Sequence, residues 1–312
     1  MSIAIEKDRS IAPTEPSKRR RKKKSRVPVF VYVLLAPTLV FFGFFVVLPV
    51  AQAIWLSFFD ASLGGQEWIG FDNYIDLWND PIFRQAVRNT LLFTVVVVTL
   101  QVGTALVIAA LLRPLSERLA GPLRAIYYLP LVVSIIIQAM VWKWIFNPND
   151  YGLANSLLKA IGLSSQDWIA SPSQAMWTII LSTILIMPGG GVVLYAAAMA
   201  GLPKDLYEAA SVDGAGPVRT FFAVTWPLLK PVTLYLAVIY TIQAFQLFER
   251  VYIMTNGGGP GYSTMTLAQY TYVTGLQYSE YGKASAIAVV LFLLAAGFTA
   301  VQFRVLRSDN EY

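Results

Sequence analysis

The chain contains no cysteine and no histidine. Without thiols there is no disulfide framework and no thiolate metal site; without imidazole neither a Cys-His pair nor a Ser-His-Asp triad can be built. Charge is scarce as well. Only 13% of the 312 residues are Asp, Glu, Lys or Arg, against roughly 25% in a soluble globular domain. Carboxylates remain the one class of acid or base, and their one cluster, from Asp60 to Asp80, lacks the spacing of metal ligands. A membrane-embedded enzyme needs converging acid, base or metal ligands, so that cluster reads instead as a solvated surface or a docking face. A phosphate-cradling loop is also missing, because it requires Gly, four residues, then Gly-Lys-Ser or Gly-Lys-Thr. Gly282-Lys283 runs into Ala284, and Gly257 to Pro260 has no lysine after it.

What is abundant is apolar sequence, 56% of residues. No charged residue occurs between Arg26 and Asp60, Arg88 and Arg113, Arg124 and Lys143, Asp167 and Lys204, Lys230 and Glu249, or Lys283 and Arg304. A helix needs roughly 20 apolar residues to cross a hydrocarbon core about 30 Å thick. These intervals predict an all-α, polytopic membrane protein of six spanning helices, with a membrane domain over 29–305 between a basic tail, 1–28, and a short tail, 306–312.

Lys and Arg accumulate in cytoplasmic loops. Lys18 to Arg26 precede the first span, Arg113, Arg118 and Arg124 follow the second, Lys204, Arg219 and Lys230 follow the fourth, and Arg304 and Arg307 close the chain, whereas Asp60, Glu67, Asp72, Asp76 and Asp80 gather on the other side. Both termini are therefore expected in the cytoplasm. The net charge of +6 reads as a membrane-flanking anchor; with no aromatic-interleaved basic face behind it, nucleic acid is not an expected partner. Ala51-Gln52-Ala53 imitates a signal-peptidase site, but the apolar run before it exceeds the roughly 7 to 15 residues of a signal core. Pro37 and Pro49 in the first span, and Pro188 with Gly189, Gly190 and Gly191 in the fourth, break regular helix. Such breaks are tolerated where protein or a wet cavity satisfies the backbone, so the fourth span either lines a cavity or kinks to admit a neighbouring helix.

The segment 202–231 lies between the fourth and fifth spans on the basic side. Pro203 suits a helix start, Asp205 and Glu208 suit the positive end of the helix, and Gly214 or Gly216 can end it. Ala209 and Ala210 give a low-profile face, and Leu206, Tyr207 and Val212 offer apolar contacts. Glu208-Ala209-Ala210, Asp213-Gly214-Ala215 and Pro227-Leu228-Leu229 with Pro231 resemble the "EAA" loop of permease subunits of binding-protein-dependent ABC importers, specifically the maltose-type carbohydrate and glycerol-phosphate group. Gly70 to Tyr74, Asn89-Thr90-Leu91, Trp142 to Pro148 with Tyr151-Gly152, and Thr255 to Pro260 look like the same group, which extends the resemblance from Val29 to Arg304.

The resemblance implies the type I importer permease fold, with a cytoplasmic coupling helix in which Glu208, Ala209, Ala210, Asp213 and Gly214 meet the ATPase. It also implies a bacterial inner-membrane location and three kinds of partner: a second, related permease, two ATPase subunits and an external solute-binding protein. No cofactor is expected in this chain; ATP and Mg would be bound by the partner ATPase. A carbohydrate-like solute calls for uncharged hydrogen-bonding groups and aromatic faces. Tyr240, Gln243 and Gln246 in the fifth span, with Thr183, Met187 and Gly190 in the fourth, match where this group has its pathway. Interhelical packing would account for any one of them equally well. A self-contained channel or facilitator is the rival function, and it would have no use for Glu208.

Overall fold

The computed structural model describes residues 29–186 and 188–306, and the chain divides into two compact units, 1–49 and 50–312. In the first, the helix Val29–Phe42 carries Pro37 and runs into a π turn, Gly43–Val47, where the Leu48 amide donates to the Gly43 carbonyl. Pro49 follows two residues on. A proline ring collides with the carbonyl four residues back and has no N–H to offer it, so the widened turn sits where an α turn would be strained. The helical path resumes as Leu48–Leu56.

Among the described residues, three unbroken helices are long and apolar enough to cross a membrane: Val33–Leu56, Pro81–Leu112 and Tyr281–Leu306. Three further crossings are broken pairs. Arg118–Val132 meets Ile135–Ile145 at 93°, Pro217–Leu228 meets Lys230–Phe245 at 67°, and Ala175–Ile184 is followed after the Pro188 break by Gly189–Ala200. Counting each pair as one span gives the six expected. The 93° break in the third span, at Val133 and Ser134, is sharper than anything the sequence reading foresaw.

In the second unit, buried side chains form three apolar clusters. The first joins Phe93, Ala139, Ile179 and Ala237 from four spans with Val251. The second joins Ala105, Leu112, Tyr195, Leu229 and Leu236, and the third Leu77, Phe83, Leu267 and Ile287. Opposite faces of the same helices leave Val107, Leu111, Leu293 and Val301 exposed, as a lipid-facing surface requires.

One short hairpin interrupts the helices. Phe59–Ser62 pairs antiparallel with Gly65–Trp68, Phe59 opposite Trp68 and Ser62 opposite Gly65. Leu63 and Gly64 make the turn, and Gly65 adopts φ +146, which favours glycine. The hairpin is tied down by Asn73, whose buried amide donates to the Ser57 carbonyl at 2.9 Å and the Phe59 carbonyl at 2.8 Å. Tyr74 reaches the Ser57 hydroxyl at 2.7 Å. The Gly70 to Tyr74 stretch singled out in the sequence is thus a clamp on the first extramembrane loop.

The second span begins at a strong cap. Asp80 accepts from the Ile82 amide at 2.8 Å and the Phe83 amide at 3.4 Å, with Pro81 in the first helical position. It also accepts from the Tyr270 hydroxyl, and Lys283 stands 3.5 Å away. Burial pushes the Asp80 carboxyl up, but the Tyr270 hydroxyl, the Ile82 amide and the Lys283 ammonium outweigh it and leave it below the usual carboxylate range. A depressed acid stabilises the fold above its unfolded pKa, about 4, and loses that contribution as pH falls through the lowered folded value. The acid limb of a pH-stability curve for the solubilised protein should therefore contain an Asp80 component. Asp80→Asn should flatten that limb while lowering the thermal midpoint at neutral pH.

Candidate functional site

A cavity of about 840 Å³ opens among the third, fourth and fifth spans, within the roughly 300 to 1,000 Å³ typical of small-molecule sites. Tyr128, Tyr235 and Tyr240 give it aromatic faces, and Gln101, Gln138 and Gln243 give it amides. It lies where the surrounding helices are broken, and side chains satisfy backbone carbonyls at the breaks of the third and fourth spans and past the end of the fifth. In the third span the Gln138 amide donates at 2.8 Å to both the Pro130 and Val133 carbonyls. In the fourth, Arg250 donates from Nη1 to the Ser182 carbonyl at 3.2 Å, in the last turn of Ala175–Ile184. Past the end of Lys230–Phe245, the Thr266 hydroxyl donates to the Leu247 carbonyl at 2.7 Å. An orphaned buried carbonyl costs about 1–3 kcal/mol, and in lipid no water relieves it.

Four of the pathway residues expected from sequence, Thr183, Gly190, Tyr240 and Gln243, line this cavity. Met187 lies outside the described residues. Gln246 does not line the cavity: the helix ends at Phe245, and Gln246, at φ −88 and ψ 15, leaves the helical track with its side chain exposed. The fourth span meets both of the readings left open for its break. A Cβ on Gly189 would stand 2.1 Å from the Tyr127 carbonyl oxygen, and one on Gly191 would stand 2.5 Å from the Tyr240 hydroxyl. These two glycines admit neighbouring chain, while Gly190, whose Cβ would meet only Leu131 at 3.8 Å, faces the cavity.

Arg250 was missed by sequence reasoning, which closed the fifth charge-free interval at Glu249 and looked no further. It is buried, 4% exposed, and lines the cavity. An arginine directly after the acid that closes a charge-free interval was the available signal.

The loops beyond the cavity are clamped by a second motif. The Asn89 amide donates at 2.8 Å to the carbonyls of Ser263 and Met265, and the Thr90 hydroxyl accepts from the Leu267 amide at 3.0 Å. Asn89 and Thr90 thus hold the segment that follows Thr255 to Pro260.

On the opposite side of the bundle, Lys204–Val212 is the short helix expected within 202–231, starting one residue after Pro203 with Asp205 in its first turn. Gly214 at φ +69 ends it, with the Gly214 amide bonding the Ser211 carbonyl and the Ala215 amide bonding the Ala210 carbonyl. That is a Schellman motif, whose left-handed position a Cβ disfavours. Glu208, Ala209, Asp213 and Gly214 are exposed and Ala210 is half-buried. Val212 is 88% exposed and Val218 70% exposed, uncovered among the described residues. Tyr207 points inward: the Arg113 guanidinium sits 3.9 Å from its ring centroid, and its hydroxyl meets the Thr225 hydroxyl at 3.1 Å. The helix is thereby fastened to the end of the second span and to the segment leading into the fifth.

Residues 101–307 match a family described as binding-protein-dependent transport system inner membrane component. The chain belongs to this family. Curated relatives include the sulfoquinovosyl glycerol transport permease SmoG of Agrobacterium fabrum, 37% identical over 89% of this chain and 90% of that protein. The trehalose/maltose transport permease MalF of Thermococcus litoralis is 33% identical over 93% and 98%. The lactose transport permease LacF of Rhizobium radiobacter is 32% identical over 88% and 93%. A chain in the crystal structure of a bacterial ABC transporter that imports the acidic polysaccharide alginate superposes with a TM-score of 0.79 at 25% identity, covering 91% of this chain and 96% of that one. The protein is therefore a membrane-embedded permease subunit of an ABC importer, built to form a translocation pathway.

In this permease, Gly189→Ala should lower the thermal midpoint of the purified protein, since overpacking costs about 1–3 kcal/mol. Gly190→Ala, with open space around it, should leave the midpoint unchanged, and differential scanning fluorimetry of the two variants side by side reads the difference.

Proposed function

We propose that this permease forms half of the pathway for a carbohydrate or carbohydrate-like solute, accepts it from an external binding protein, and is driven by a separate ATPase docked on the helix Lys204–Val212. The observation that carries the coupling half of this reading is the split character of that helix. Its outer surface offers Glu208, Ala209 and Val212 to a partner, and its inner surface is bolted through Tyr207 to Arg113 and Thr225. A cation over an aromatic ring contributes about 0.5–2 kcal/mol, enough to make the contact move as a unit. A displacement of the helix by a closing ATPase is thus delivered to the second and fifth spans, and the fifth carries Tyr240 and Gln243 into the cavity.

ATP and Mg belong on this reading to two copies of the partner ATPase, consistent with the missing phosphate-binding loop, and a second, related permease completes the pathway. The basic residues flanking the first, third and fifth spans support cytoplasmic termini. Carbohydrate as the solute is supported by the lining, tyrosine faces beside neutral amides, and by relatives named for sulfoquinovosyl glycerol, trehalose/maltose and lactose transport.

Two measurements test the two halves. Glu208→Lys and Gly214→Pro should reduce ATP-driven uptake to background with membrane levels unchanged; full transport by both would remove the coupling assignment. Tyr240→Ala with Gln243→Ala should change solute affinity or rate in the reconstituted transporter while stimulation of the ATPase by the binding protein persists.

A further inference from the structure

We infer that the solute carries an anionic group, and that Arg250 receives it; this rests on the cavity being the solute pathway. The argument begins with an imbalance of charge. Among the described residues the ion pairs are Lys159 with Asp150 and Lys283 with Asp80, so Arg250 has no carboxylate. Its position is deep within the bundle. Ser182, to which it bonds, stands seven residues inside Ala175, about 10 Å along the helix axis. An ionisable side chain at such depth is expensive and marks function by default.

The neighbours offset only part of that charge. Nη1 donates to the Ser182 carbonyl at 3.2 Å and the Ser182 hydroxyl at 3.4 Å, and Nη2 donates to the Gln138 side-chain carbonyl at 3.2 Å. The C-terminal turn of Ala175–Ile184 supplies about half a negative charge through its aligned peptides, and the Gln138 amide is neutral. A guanidinium has five N–H donors, of which these contacts use at most three. Among the described residues Nε finds no acceptor, and at least two donors are left beside a cavity whose other described lining side chains are all uncharged, Gln101, Gln138, Gln243 and Tyr240 among the polar ones. Arg250, with donors unused and its charge uncompensated, lines that open volume. A guanidinium fork matches the paired oxygens of a carboxylate, sulfonate or phosphate, and the tyrosines and amides around it suit the remainder of a sugar.

A matched pair of disaccharides tests this: cellobiose, and cellobiouronic acid, which differs by a single carboxylate. Equilibrium binding is measured to the complete purified transporter in nanodiscs with the binding protein left out. The acid should bind wild type roughly tenfold or more tighter than the neutral sugar, the scale of one charge-assisted contact. Arg250→Gln should bring the ratio of the two affinities close to one, whatever it does to cellobiose alone, and Arg250→Lys should keep part of the preference. Equal affinities for the two sugars in wild type, as would follow if an acidic residue of the second permease covered Arg250, overturn the inference while leaving the carbohydrate reading in place. An equal loss for both sugars in Arg250→Gln overturns it too, because the residue then only holds the spans together. Binding of neither sugar to wild type would remove the carbohydrate reading itself. The wild-type comparison needs no variant to fold.

Discussion

Everything in this bundle is organised around one constraint: a backbone carbonyl inside a membrane has no water to turn to. A permease needs a cavity, a cavity needs broken helices, and a broken helix leaves carbonyls without partners. Gln138, Arg250 and Thr266 answer the problem at three separate interruptions. Two of them also bond to each other, since Gln138 accepts from Arg250 with the oxygen it does not need for the third span. The third and fourth spans are thereby held at their weakest points by a residue that follows the fifth. A shift in the fifth span cannot leave the other two untouched, which is the property an alternating pathway requires.

In the proposed coupling, force enters at the far end. The short helix Lys204–Val212 has few apolar contacts of its own, and its hold on the rest of the chain runs through Tyr207. That arrangement separates two demands on one turn of helix. Glu208, Ala209 and Val212 are exposed for a partner surface, while on the proposed coupling the inward tyrosine carries displacement to Arg113 and Thr225. At the fifth-span bend and one turn past it, buried Leu229 and the Tyr195 to Thr233 hydrogen bond, 2.9 Å, tie the fifth span to the fourth.

How much of this could be read from residues alone depended on the range of the interactions involved. The helix Lys204–Val212 and its Gly214 stop are local events, settled within a dozen residues by Asp205, the alanines and a left-handed glycine, and they appear where the sequence puts them. The six crossings are likewise carried by charge-free length. Asn73 and Asn89 stood out as parts of familiar stretches, but their roles as clamps depend on contacts 14 to 176 residues away, which no local pattern encodes. The hairpin at Phe59–Ser62 was invisible because two four-residue strands are too short to display alternation. The third-span break gave only Pro130 and Ser134 as warning, far weaker punctuation than Pro188 and its three glycines. Arg250 escaped for a different reason: hydropathy ends a span at the first charge, so Glu249 closed the interval and the next residue was counted as outside.

The π turn Phe221–Thr225 stands ahead of Pro227 as Gly43–Val47 stands ahead of Pro49, with the Trp226 amide reaching back to the Phe221 carbonyl. Such a turn is equivalent to one inserted residue in an α-helix, and one residue is about 100° of rotation. The azimuth of everything downstream is therefore offset from a wheel drawn continuously from Pro217. Which side chains of the fifth helix look inward is set jointly by that extra step in the winding and by the bend at Leu229 that follows it.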